Sequence, residues 1–429
     1  MLFRAALLSF LLIVNIQPGF ADSGLAYNTD ANVFDLSINE STEITISRFG
    51  NNGDRILWIP SEFGIRRENH YHLLDSLARL GHEVWLAEIH ESYFIPSGRK
   101  SYTEIPLGDI SDLIEKSLPE DGRKLFIVST GRGAALALMA LNQWRANSSN
   151  SQKFGGIVML HPNLQASTPR PGTDLHYLPI VDSTQLPVFI IQPEKSEKYW
   201  FLDKLVTRLS DSGSQVYTQI IEQASDGYHV RPDTSTSEKK LAEKLPLQIS
   251  RAVNLLAKTE VAVPDTFTPV GTWQLTAIAE SLQPYPGQPG APALELYDTE
   301  GKKYKLKDFL GKVVVLNFWT TWCPPCVDEI PSLGRLQKLF SQKDLLVLSV
   351  DIGEDEDEVA KFLKEVPADF PVLLDPEAGT LGRWKVTAFP TTLVINRRGD
   401  IELAYYGGLE WDNPAVVKQL QTMVQAGSH

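Results

Sequence analysis

The residues predict an α/β protein built as two units, and three observations carry that expectation. From Arg55 to Gln192, apolar runs of strand length alternate with segments of helical period. This is the pattern of parallel strands joined by crossover helices, a doubly wound sheet. From Leu294 to Gln425 a second alternation begins and closes. Between them stand Pro264, Pro269, Pro284, Pro286, Pro289 and Pro292, with Gly287 and Gly290, the composition of a semi-extended linker. A chain of 429 residues suits two or three domains, and 43% hydrophobic content suffices for a core in each. The expected division is a leader at 1–21, a front unit at 22–258, a linker at 259–285 and a rear unit at 286–429.

In the front unit, residues 31–38 and 41–49 read as two strands in a polar opening stretch. RILWIP (55–60) is a buried-strand run. HYHLLDSLARL (70–80) has helical spacing and stops at Gly81, with His70 and His72 expected at the surface. EVWLAE (83–88), KLFIVS (124–129), 156–160 and 188–192 are further strands; 109–118 and 134–143 are helices. One short helix is expected around Leu275 to Leu282. In the rear unit, short strands at 294–297 and 303–306 flank the turn Thr299-Glu300-Gly301. VVVLNF (313–318) is an apolar strand, followed by a helix to about Ser341. Residues 345–350 and 372–374 are strands, with a helix at 356–365 between them. A hairpin at 391–396 and 402–406 turns on Arg398-Gly399-Asp400, and a last helix spans 416–425.

Charge and leader narrow the function classes. The formal net charge of −13 argues against a nucleic-acid partner, which calls for a basic face. The start carries Arg4, an apolar run from Ala5 to Ile16, Pro18, and small residues at Gly19 and Ala21. That is the pattern of a secretory signal peptide cut after Ala21, and the run is short for a membrane span. The expected location is a bacterial periplasm, where thiols meet oxidising conditions.

The only two cysteines are Cys323 and Cys326, inside NFWTTWCPPCVDEIP (317–331). A C-x-x-C pair serves zinc, a structural disulfide or a redox dithiol. A structural zinc site calls for four protein ligands, yet there is no second cysteine pair and the only histidine after His229 is His429. A disulfide closing so short a loop gains little entropy. The redox dithiol fits best. A strand runs into the motif and a helix runs out, so Cys323 sits at a helix N-terminus, where the dipole favours a thiolate. Cys326 lies one turn along and more buried, as suits a resolving thiol. Pro324 and Pro325 occupy the first turn and remove donors that could stabilise the thiolate, which points to a reducing couple. No metal or other cofactor is implied.

WCPPC after VVLNFW, followed by Glu329 and Pro331, resembles the TlpA/ResA group of thioredoxin-like, exported thiol-disulfide oxidoreductases. The resemblance covers roughly 286–426, including the GAPALELYDTEGKKYKLKDFLGK element and Ala388-Phe389-Pro390-Thr391-Thr392. It implies a cis Pro390 facing the dithiol, with Phe389 and Trp322 beside it and a backbone edge free to pair with a substrate chain. Asn317 stands where cytosolic thioredoxins carry a buried acid, so that relay is absent. Glu329 matches the family glutamate and could take the proton of Cys326. Trp319 is expected in the core. The implied partners are a disulfide-containing protein substrate and a membrane thiol-disulfide electron donor. A peroxidase remains open, because the N-terminal element is shared with peroxiredoxin-like proteins. A holder of apocytochrome c thiols, differing only in substrate, remains open too.

Residues 54 to about 255 resemble an α/β-hydrolase. Aligning KLFIVS and AALALMAL around IVSTGRGAA puts Gly131 at the nucleophile position, with Ser129 and Gly133 at the flanking small positions. Glycine cannot attack a carbonyl. Glu194 falls where the acid of a triad would sit and His229 where its histidine would, while His161 could line the same cleft. The expectation is therefore an N-terminal α/β-hydrolase-like doubly wound sheet that has lost its nucleophile, plus a C-terminal thioredoxin-like fold. A hydrolase with an unconventional nucleophile is the alternative for the front unit.

Overall fold

The computed structural model describes residues 31–98, 101–166, 171–232, 234–260 and 281–426. The expected leader at 1–21 and most of the expected linker lie outside the described residues. So does the expected helix at 275–282, apart from Ser281 and Leu282, which are not helical.

The first sheet opens with β1 (Asn32–Ser37) and β2 (Glu43–Phe49), an antiparallel pair. There follow β3 (Arg55–Ile59), α1 (Arg67–Arg79), β4 (Glu83–Ala87), α2 (Ile89–Ser92) and α3 (Leu107–Lys116). Next are β5 (Leu125–Thr130), α4 (Gly133–Asn147), β6 (Phe154–Leu160) and β7 (Val188–Lys195). The unit closes with α5 (Leu202–Asp211), β8 (Val216–Ser225), α6 (Thr236–Ala242) and α7 (Leu245–Leu256). The strand order is β1-β2-β4-β3-β5-β6-β7-β8, with β3 to β8 all parallel.

Continuous apolar strands are expected where both faces of a parallel sheet are covered. Here Leu57, Ile59, Leu125 and Ile127 enter one core with α3 and α4. Their neighbours Ile56, Trp58, Phe126 and Val128 enter a second core with α1 and α7. A helix apolar on all sides must itself be buried, and α4 is, from Gly133 through Asn142.

The second sheet is built from β9 (Gln283–Pro284), β10 (Glu295–Asp298), β11 (Lys303–Lys305) and β12 (Val313–Trp319). Then come α8 (Pro324–Leu339), β13 (Leu345–Ile352), α9 (Glu356–Glu365), β14 (Val372–Asp375) and α10 (Thr380–Trp384). Last are β15 (Thr391–Ile395), β16 (Ile401–Tyr406) and α11 (Pro414–Ala426). The order is β11-β10-β14-β13-β12-β15-β16-β9. The fully buried β12 lies parallel to β13 and antiparallel to β15. This is a thioredoxin-like arrangement, and it delivers the end of the central strand directly into the cysteine turn.

Three departures from the sequence reading have physical causes. The strand β8 and the helices α2, α5, α6, α7 and α10 were not foreseen; β8 is an edge strand whose pattern mixes buried, half-buried and exposed residues. Gln283 and Pro284, expected in the linker, pair with Ala404 and Leu403 as an edge strand, where a proline costs no ladder bond. His70, expected at the surface, is buried on the α1 face with Leu73, Leu74 and Leu77, and packs edge-on against Trp58. Burial lowers its imidazole to about 4. His72 is exposed, as expected, and Trp319 is in the core.

Candidate active site at the cysteine turn

Cys323 caps α8 with extended backbone, and Pro324 and Pro325 fill the first helical positions. Its carbonyl accepts from the N–H groups of Cys326 (2.9 Å) and Val327 (3.1 Å). The two sulfurs are joined in a disulfide. Cys326 is fully buried, while Cys323 keeps 6% of its surface. An incoming group can therefore reach only Cys323. Phe389–Pro390 is cis, and Trp322 meets Phe389 edge-on with ring centroids 6.2 Å apart.

Glu329 is buried, one helical turn beyond Cys326. Asn317 donates to its Oε1 (2.7 Å) and also to Thr392 Oγ1 (2.9 Å). The Trp411 indole (2.9 Å) and the Leu409 N–H (3.3 Å) donate to Oε2. Burial outweighs these donors and pushes the carboxyl up to about 8. The amide at 317 thus holds this carboxyl in place. Trp411 and Leu409 were not foreseen, because only the tertiary fold brings their loop onto α8.

An acid pair also lies under the turn. Glu354 accepts from the N–H (2.6 Å) and the hydroxyl (2.5 Å) of Thr321. Asp351, at the end of β13 beside Trp319, is fully buried. Burial first, and then mutual repulsion with Glu354, raises Asp351 well above the usual carboxylate range. An acid at the C-terminal end of a parallel strand is the signal that could have found it.

The expected free backbone edge beside Pro390 is not free. The Phe389 N–H donates to Glu197 Oε2 at 3.2 Å, from the front unit. The loop after β7 lies against the dithiol, and a cavity of about 160 Å³ between them is lined by Glu197, Lys198, Asp226, Trp322, Cys323 and Phe389, among others. Lys198 bonds to Asp226 at 2.6 Å and stands 3.7 Å from Glu197. Burial would lower its ammonium, but the two carboxylates outweigh burial and the net shift is upward.

The turn at Gly131, between β5 and α4, lies at the same C-terminal end of the front sheet's strands. Gly131 has φ +53, a left-handed conformation, between the end of β5 and the start of α4. The Arg132 N–H donates to Glu62 Oε2 at 2.8 Å, and a Cβ on Gly131 would stand 2.7 Å from that same oxygen. Glu62 therefore fills the space a nucleophilic side chain would need. Ser129 is fully buried within β5. Glu194 accepts from the Gln223 N–H at 2.8 Å and not from His229. His229 is buried beside His161, with ring centroids 5.9 Å apart. Burial, then the nearby His161 and His70, holds His229 well below its ordinary value. Gly131, Glu194 and His229 are thus not assembled into a linked triad.

Residues 287–404 match the AhpC/TSA family, wholly within the second sheet and its helices. The chain is 40% identical over 111 residues to the thiol-disulfide oxidoreductase ResA of Bacillus subtilis, covering 26% of this chain and 62% of that protein. It is 36% identical over 112 residues to ResA of Geobacillus thermodenitrificans, covering 26% of this chain and 64% of that protein. The chain thus spans a little under two thirds of the length of these curated relatives. Among solved structures, the exposed lipoprotein thioredoxin of Streptococcus pneumoniae aligns at 29% identity over 30% of this chain and 99% of that one, with a TM-score of 0.28. Among the described residues no helix is long and apolar enough to cross a membrane.

Proposed function

We propose that this chain is an exported thiol-disulfide oxidoreductase that reduces protein disulfides through Cys323 and Cys326. The observation that carries the reading is the Cys323–Cys326 disulfide at the start of α8, with only Cys323 open to an incoming group. In the reduced protein, the Cys323 thiolate attacks one sulfur of a substrate disulfide. A mixed disulfide forms and the other substrate sulfur leaves as a thiolate, which takes up a proton. Cys326 then loses its proton and attacks Cys323, forming the Cys323–Cys326 disulfide and releasing the second substrate thiol. Two electrons pass from the dithiol to the substrate. Glu329, buried on α8 one helical turn beyond Cys326, is assigned as the group that takes the Cys326 proton when its carboxyl is ionised; burial holds that carboxyl up to about 8.

The same proposal includes a periplasmic location, resting on the leader pattern at 1–21. It includes a membrane thiol-disulfide protein as electron donor and a role in cytochrome c maturation or periplasmic disulfide control. The front unit is read as a degenerate α/β-hydrolase-like domain without hydrolase activity, which positions the dithiol site. Support for that comes from the strand-to-helix turn at Gly131 and the Glu62 carboxylate in front of it.

The deciding experiment is trapping. A Cys326→Ala variant expressed in the native host should accumulate covalent adducts on Cys323, seen on non-reducing gels and identified by mass spectrometry. A variant that carries no reducible adduct would overturn the reading.

A further inference from the structure

Two sites that α/β architecture reserves for ligands face each other in this molecule. Ligands of open parallel sheets bind beyond the C-terminal ends of the strands. The loops that follow β7 and β8 lie there, and they carry Glu197, Lys198 and Asp226 onto the cysteine turn. The contact extends beyond one hydrogen bond. Trp200 packs on the core of the second unit. It lies so close to Gly353, at φ +77, that a Cβ there would be 2.3 Å from its ring. Lys195 pairs with Glu358 at 3.1 Å, and Lys385 with Asp174 at 3.4 Å.

Within this interface Glu197 makes the chemically pointed contact. The Phe389 N–H is the main-chain donor next to cis Pro390, on the face of the second unit that bears Cys323. An extended polypeptide pairing with that edge would need this donor. A carboxylate accepts a stronger, charge-assisted bond than a peptide carbonyl does. Lys198, itself anchored by Asp226, stands beside Glu197 and helps to fix it.

We propose that Glu197 is the specificity-determining residue of the dithiol site. Seated on the Phe389 N–H, it occupies the position of a substrate strand. In this docked arrangement the about 160 Å³ cavity admits small disulfides to Cys323, and extended polypeptide disulfides enter only when the loop at 196–198 withdraws. The proposal rests on the thiol-disulfide reading above and names how that site sorts its substrates. The chemistry is the exchange already written: two electrons pass from the Cys323–Cys326 dithiol to either kind of disulfide, and only access differs.

The test uses the full chain, reduced, in wild-type, Glu197→Ala and Glu197→Gln forms. Three rates are measured: alkylation of Cys323 by iodoacetamide, reduction of hydroxyethyl disulfide, and reduction of insulin. Glu197→Ala should raise the insulin rate about tenfold, the ratio for loss of one charged hydrogen bond. The iodoacetamide rate reports what loss of this charge does to the Cys323 thiolate itself, and after division by that rate the insulin rate should still rise about tenfold while hydroxyethyl disulfide reduction does not. Glu197→Gln keeps an acceptor oxygen and should fall between the two. An insulin rate in Glu197→Ala that rises no more than the iodoacetamide rate would overturn the proposal. Failure of the underlying reading looks different: the wild type and both variants would reduce neither disulfide while Cys323 still alkylates.

Discussion

Two turns in this chain join the end of a buried parallel strand to the start of a helix, and they have opposite fates. At Thr320–Pro324 the turn carries a thiol at its tip, and space remains in front of it. At Thr130–Gly133 the tip is Gly131, and Glu62 fills the space while accepting from the next N–H. Both turns place a helix N-terminus behind the tip, whose dipole suits an anionic group; at the first, Pro324 and Pro325 remove backbone donors, while at the second the Arg132 N–H supplies one. In the proposed reaction the anion of the first turn is the Cys323 thiolate. In the second, the Glu62 carboxylate of the protein itself sits there. A strand-to-helix turn therefore prepares a site, and the side chain at its tip together with whatever fills the space ahead decides whether chemistry follows.

The contrast can be broken most severely at the thiol. Cys323→Ser should lower disulfide reduction by roughly 10³-fold or more, about 4 kcal/mol of barrier, measured as insulin turbidity with dithiothreitol as reductant. Residual activity near wild type would place the chemistry elsewhere. A smaller effect belongs to Glu329. A carboxyl raised from 4.5 to about 8 in the folded chain keeps its proton longer than in the unfolded chain. Stability should therefore fall as pH rises through that interval and level off above it. Relative to wild type, the oxidised Glu329→Gln protein should gain on the order of 3 kcal/mol between about pH 5 and pH 9. Urea unfolding followed by tryptophan fluorescence reads this, and parallel pH profiles for the two proteins would count against a raised carboxyl.

The mildest intervention acts on the other turn. Gly131→Ser places a Cβ 2.7 Å from Glu62 Oε2 in a left-handed backbone. It should cost about 1–3 kcal/mol, visible as a lowered Tm. Hydrolysis of p-nitrophenyl acetate should stay at the level of the parent protein, because Glu62 still fills the space and His229 lacks a link to Glu194. Ester hydrolysis appearing in this variant would show that the turn needed only a nucleophile, and the contrast drawn here would fail.

Much of the architecture was legible because local patterns carry it. Alternating apolar strands and helical periods announced both sheets, since a strand buried on both faces must be apolar throughout, as β5 is. Cys323, Cys326 and Pro390 were legible because adjacent residues form their motifs. The position of Glu329 was legible because helical spacing puts it one turn from Cys326; its role in the chemistry is part of the proposal. That residue 131 is a glycine, where the hydrolase resemblance expects a nucleophile, is likewise a local fact of the sequence. The sequence did not reveal that Glu62 fills the space in front of Gly131, that His70 is buried against Trp58, or that Trp411 and Leu409 hold the Glu329 carboxylate. Nor did it reveal that Glu197 takes the Phe389 N–H. Each of these joins residues far apart in the chain, and only the packing of the folded units decides which distant side chains share one small volume.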